Sequence, residues 1–229
     1  MSDTQDQALA AIMAARPLHL KSASLSEQVY NLLRELILER KIPGDTVMSE
    51  SRLSDELHVS RTPMREALVR LAGEGLLVRH GARSFAVRAV DTKEYFDSMS
   101  VRELLECEAI QRAVEHIDQE QLEAFAAELT ELSSGDHDEN TYWHFDDRLH
   151  SFIAQASGND VLFKTLVQLR ANARLFRLHS PLHRQQENHD EHLDVINALR
   201  AGDAHAAVAA MRQHIQSLRD EVVKALSDS

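Results

Sequence analysis

Between Ser24 and Val90 the chain carries three helical hydrophobic stripes and then changes to alternation. Val29, Leu32, Leu33, Leu36 and Ile37 recur at helical spacing and predict a first helix with one face for a core. Ser24 and Glu27 stand at capping-box spacing at its start, and Pro43-Gly44 marks its stop. In SESRLSDELHVS, Leu53 and Leu57 predict a shorter second helix. Met64, Leu68 and Leu71 in RTPMREALVRLAGEG predict a third, with Pro63 in its first turn and Gly75 past its end. Two helices joined by so tight a turn form a helix-turn-helix, whose second helix presents its N-terminal residues to the major groove. LLVRHGARSFAVRAV then alternates around His80-Gly81, which predicts a two-stranded hairpin, a wing.

From about Asp91 onward the pattern is helical throughout. YFDSMSVRELLECEAIQRAVEHI and QEQLEAFAAELTELSS come first, and SSGDHDEN breaks the pattern. YWHFDDRLHSFIAQASGN puts Leu149, Phe152, Ile153 and Ala156 on one stripe and ends at Gly158-Asn159, a C-cap signal. VLFKTLVQLRANARLFRLH, RQQENHDEHLDVINALRAGD and AHAAVAAMRQHIQSLRDEVVKAL follow. The expected fold class is therefore mainly α: an N-terminal winged helix-turn-helix, then an all-α bundle of about six helices. Three stretches are expected, an arm over 1–22, a DNA-binding domain over 23–90 and a helical domain over 91–229.

Charge sharpens this division. The formal net charge is −12, but Lys21–Val90 has eleven basic against nine acidic residues, and Asp91–Ser229 has thirteen against twenty-six. Such asymmetry implies two domains with different partners. The single cysteine, Cys107, cannot form an internal disulfide, which points to a reducing cytoplasm. The apolar ALAAIMAA is short and lacks a basic lead, so it makes a poor signal peptide, and no stretch is long enough to span a bilayer.

Polar groups interrupt the apolar stripes of the second half at four places. Asp146 and His150 share a face with Leu149 and Ile153, His192 sits beside Ile196 and Leu199, and His214 lies between Met211 and Leu218. One inward histidine is commonly a satisfied core residue. A buried carboxylate with three imidazoles is costly unless its charge is compensated, and a divalent cation does this directly. His144, His189, Asp147 and Asp190 fall at other helical phases, as solvated or outlying neighbours. Arg102 lies inward with Met99, Leu105 and Ala109, placed either to pair with Glu106 or to hold a carboxylate ligand.

On the predicted third helix, Arg61 and Arg65 face away from the Met64, Leu68 and Leu71 stripe. A guanidinium can reach guanine O6 and N7 bidentately, while Ser60 and Thr62 suit phosphate oxygens; a merely solvated basic face would show the same spacing.

GDTVMSESRLSDELHVSRTPMREALVRLAGEGLLVRHG resembles the winged-helix domain of GntR-type bacterial transcription regulators. VRELLECEAI, DDRLHSFIAQASGN, EHLDVINALRAGD and AAMRQHI resemble the FCD ligand domain of the FadR subfamily. The resemblance implies DNA contacts from Arg52, Ser60, Arg61, Thr62, Arg65 and, at the wing, Gly81. It implies a divalent metal on Asp146, His150, His192 and His214: zinc, with nickel or manganese as alternatives. It implies a small carboxylate effector anchored by Arg102. The function expected is that of a cytoplasmic, homodimeric, metabolite-responsive regulator, a repressor acting on double-stranded DNA at a palindromic operator, and not an enzyme. The rival readings are a metal-dependent hydrolase using the His/Asp group and a regulator that senses the metal itself.

Overall fold

The computed structural model describes residues 10–12, 14, 24–39, 41–134, 139–177 and 185–227. The expected arm over 1–22 lies outside the described residues except for 10–12 and 14, and the break SSGDHDEN is described only at its ends. The chain clusters into two compact units, Met1–Thr92 with Ala171–His179, and Lys93–Arg170 with Ser180–Ser229.

In the first unit, α1 (Leu25–Leu38) begins where the Ser24 side chain accepts the Glu27 amide at 3.2 Å. It stops at Leu38, ahead of Pro43-Gly44, and the chain folds back so that the Ile42 amide bonds Leu36 O at 3.0 Å and Ile42 is buried. Helix α2 (Glu50–Leu57) is capped by Ser49 and ended by His58 in the left-handed region, φ 53°. Helix α3 (Arg61–Gly73) closes with Gly75 at φ 76°; Gly75 N bonds Ala72 O and Leu76 N bonds Leu71 O, a Schellman ending with both leucines buried. Val29, Leu33, Met64, Leu68 and Leu71 are fully buried, each contributing about 1.5–3 kcal/mol of burial.

The expected wing forms, as β2 (Leu77–Arg79) and β3 (Ser84–Val87), paired antiparallel with Arg79 opposite Phe85. A third strand joins it. β1 (Val47–Ser49) pairs antiparallel with β3, Met48 opposite Phe85, giving the order β1–β3–β2. Three residues are too few for alternation to register in the sequence, so β1 was invisible there.

Among the described residues, six helices follow the wing, matching the expected number: α4 (Thr92–Ala113), α5 (Gln119–Ser134), α6 (Glu139–Ala156), α7 (Asp160–Arg177), α8 (Gln185–Arg200) and α9 (Ala204–Ser227). Gly158, φ 68°, ends α6, and Asn159 Oδ1 at once accepts the Val161 and Leu162 amides to start α7. Gly202, φ 67°, ends α8 in a second Schellman ending, with Asp203 N on Ala198 O. Leu149, Ile153, Val195, Ile196, Leu199, Met211 and Ile215 make the core, with α9 packed along α8. Among the described residues, no helix is long and apolar enough to cross a membrane.

Candidate functional site

Ser60 holds the N-cap position of α3 in extended geometry, yet its side chain makes no capping bond. With Arg61, Thr62 and Arg65 it is exposed, while Met64, Leu68 and Leu71 turn into the core. No acidic residue sits in the first turn, so the positive end of the helix is left for an anion. Arg65 is 63% exposed, with its Nε 3.9 Å from Glu50 Oε1. Arg52 is exposed on α2, and Gly81 is exposed in the β2–β3 turn at φ 91°, a backbone that side chains rarely adopt. The first unit thus places each of the six residues on an uncovered surface.

What holds α3 in place is a polar lock against α1. The Tyr30 hydroxyl donates to both Glu74 carboxylate oxygens, at 2.7 and 2.8 Å, under the Arg70 guanidinium, which lies 3.6 Å from the ring centroid and bonds Glu27 at 2.8 Å. Burial, then Glu74, pushes the Tyr30 hydroxyl up to about 12.

In the second unit Asp146, His150, His192 and His214 converge. One ligand atom from each lies within 4.8 Å of all the others. His192 Nε2 is 3.1 Å from Asp146 Oδ1 and 3.3 Å from His150 Nε2, and His150 Nε2 is 3.6 Å from Asp146 Oδ1. A cation with bonds of about 2.0–2.2 Å brings adjacent donors to about 3 Å, so these separations fit one. Three rings are buried, and His214 Nε2 is sealed from solvent without a hydrogen-bond partner. An orphaned buried lone pair is costly unless something accepts it.

Burial pushes His150 down to about 4, Arg170 adding to the effect, and pushes His214 down to about 3 against the pull of Glu191. Both rings are neutral at pH 7, the form that ligates. Burial opposes charge on Asp146, but Arg170 and then His150 and His192 outweigh it and hold the carboxyl well below the usual range.

An outer ring of partners surrounds these four. Glu106 Oε2 meets His150 Nδ1 at 2.7 Å, Glu191 Oε2 meets His214 Nδ1 at 2.8 Å, and Arg170 Nη2 donates to Asp146 Oδ2 at 2.6 Å and Asp147 Oδ1 at 3.0 Å. Arg102 is buried and donates through Nε to Glu106 Oε1 at 2.8 Å, while its Nη2 is buried with no partner. The salt bridge to Glu106 therefore exists, and one donor is left over. His144 and Asp190 are exposed, and Asp147 and His189 are half-buried. Sequence reasoning missed Arg170 and Glu191. Arg170 carried the same signal as the histidines, a polar group continuing the Leu162–Leu166 stripe.

A winged helix-turn-helix with an uncovered basic face, in one chain with a helical unit built round buried donors, defines a DNA-binding transcription regulator. The chain belongs to the GntR family: residues 25–87 match bacterial regulatory proteins of the gntR family, and residues 97–217 match the FCD domain. It is 27% identical over 202 residues to the HTH-type transcriptional repressor RspR of Escherichia coli (strain K12), covering 86% of this chain and 89% of that one. It is 28% identical over 183 residues to the Nta operon transcriptional regulator of Aminobacter aminovorans, covering 80% and 86%. Among solved structures it shares its fold with E. coli McbR/YncC, at TM-score 0.69 and 22% identity over 88% of this chain and 100% of that one. The family and these relatives are transcriptional regulators and not enzymes, which sets the hydrolase reading aside.

Proposed function

We propose that this chain is a cytoplasmic, metabolite-responsive repressor that binds a palindromic operator as a homodimer. Residues 23–90 read DNA, through Arg61 and Arg65 to bases and through Arg52, Ser60, Thr62 and the wing at Gly81 to backbone. Residues 91–229 hold a divalent metal on Asp146, His150, His192 and His214. Three imidazoles and a carboxylate suit zinc first, then nickel or manganese. Bound there, the metal would act as a Lewis acid for a small carboxylate effector, whose second anchor is Arg102 through its unpartnered Nη2.

The observation that carries the reading is the orphaned, buried Nε2 of His214, on a ring gathered with two other imidazoles and a carboxylate. The repressor assignment draws support from RspR, a repressor by name. Metal analysis of untagged protein purified without chelator tests the centre: about one divalent ion per chain is expected, and well under one in His214→Ala. A wild type without stoichiometric metal refutes it. Titrating metal against operator binding, with and without short hydroxy- and dicarboxylates, then separates an effector-sensing protein from one for which the metal is itself the signal.

A further inference from the structure

The metal reading leaves the outer carboxylates without a task. His150 comes from α6 and His214 from α9, and each ring meets a glutamate from a different helix: Glu106 on α4 at 2.7 Å and Glu191 on α8 at 2.8 Å. Both contacts are made through Nδ1. A carboxylate accepts and does not donate, so the proton of each ring must sit on Nδ1. A neutral imidazole protonated at Nδ1 carries its lone pair on Nε2, the atom that His150 turns toward Asp146 and His192 and that His214 holds buried without a hydrogen-bond partner.

We infer that Glu106 and Glu191 are positioning residues for the metal centre, fixing His150 and His214 as the tautomer whose Nε2 ligates. The inference rests on the metal reading above and adds two residues to it. Their effect is twofold: each carboxylate fixes ring rotation as well as tautomer, and its charge raises the basicity of the ligating nitrogen. Glu106 is itself held, accepting from Arg102 at 2.8 Å and lying 3.7 Å from Arg170 Nη1. Arg170 does for Asp146 what the glutamates do for the rings: it occupies Oδ2 at 2.6 Å and leaves Oδ1 facing His192 and His150. Three of the four ligands are thus secured on the side away from the centre.

Glu191→Gln is the cleaner variant, because Glu106 is buried between two arginines and its neutralisation strands them; Glu106→Gln serves as the second. Zinc affinity is measured by competition with a chromophoric chelator, and ring tautomers are read by long-range proton–nitrogen NMR of the chelated protein. The expected result is a zinc Kd raised about 10–100-fold in Glu191→Gln, with the thermal unfolding of the chelated protein little changed. In wild type, His150 and His214 are expected to carry their proton on Nδ1. A wild type that takes up no zinc overturns the metal reading and this inference with it. A wild type that binds while both variants bind within twofold of it, or rings found protonated at Nε2, overturns this inference alone.

Discussion

The structure makes removal of Arg170 costly. It is 7% exposed and faces three carboxylates, Asp146 at 2.6 Å, Asp147 at 3.0 Å and Glu106 at 3.7 Å. Removing one member of a buried ion pair costs about 3–5 kcal/mol, since the remaining charge is left uncompensated. Asp146 and Asp147 retain 18% and 25% side-chain exposure, so water can reach them and the lower end applies, about 3 kcal/mol. For a chain of this size that is a fall of about 6–12 °C in Tm. Arg170→Met keeps most of the apolar stem and so isolates the charge. The chain's one tryptophan, Trp143, lies on α6 one turn before Asp146, and its fluorescence reports the melting of this unit. Arg112→Ala is the control: its pair with Glu108 has the same chemistry at 2.6 Å but is half exposed, so it should change stability by under about 1 kcal/mol. In chelator the Arg170 variant should melt far below the control; zinc should recover part of the loss, because a cation at the centre takes over Asp146. Equal melting of the two variants would refute the argument that burial, and not ion-pair count, sets the cost.

Arg65→Ala should weaken specific operator binding by about 1–3 kcal/mol and leave non-specific binding and the fold intact, measured by anisotropy at fixed salt; unchanged affinity removes it from the reading face. Tyr30→Phe should cost about 1.5–3 kcal/mol near pH 8, the worth of a hydrogen bond to a charged acceptor. The Tyr30 hydroxyl stays protonated to about pH 12 in the fold but only to about 10 in the unfolded chain, so its contribution is complete below pH 10 and is lost as pH rises toward 12. The stability gap between wild type and variant must therefore close over that window, and a constant gap argues against the Glu74 bond. Arg102→Ala should weaken carboxylate binding by calorimetry while effector-free operator binding persists; if the variant binds and responds like wild type, its role is confined to Glu106.

The sequence exposed those parts of the fold that local chemistry decides. Ser24 at the start of α1, Gly75 after α3 and Gly158 after α6 each satisfy backbone groups within a few residues, so their signals do not depend on distant packing. The end of α1 did depend on packing: Ile42 is drawn under the helix, and the chain leaves helical geometry before Pro43 demands it. The four converging donors were legible because each replaces an apolar residue on a stripe that must turn inward. Their partners were not. Whether Glu191 or Asp190 meets His214 depends on the rotation of α8 against α9, which spacing along one helix leaves open. Arg102 shows the same limit, since its place on the inward face fitted both a salt bridge and a ligand anchor, and the structure contains the salt bridge together with one unpartnered donor.

On the proposed mechanism, effector binding and operator binding are coupled by linkage. An effector lowers operator affinity only by the difference between its affinities for the DNA-competent and DNA-incompetent conformers. A tenfold release requires about 1.4 kcal/mol of such difference, roughly one charge-assisted hydrogen bond made in one conformer and lost in the other. The unpartnered Arg102 Nη2 is a donor of that worth. The coupling is reciprocal: operator DNA must weaken effector binding by the same tenfold factor, whichever ligand is added first. Calorimetry of the effector against the free protein and against the protein–operator complex measures both directions of the cycle. Equal effector affinities in the two titrations would leave the carboxylate a bound ligand and not a signal, and responsiveness would then have to reside in the metal.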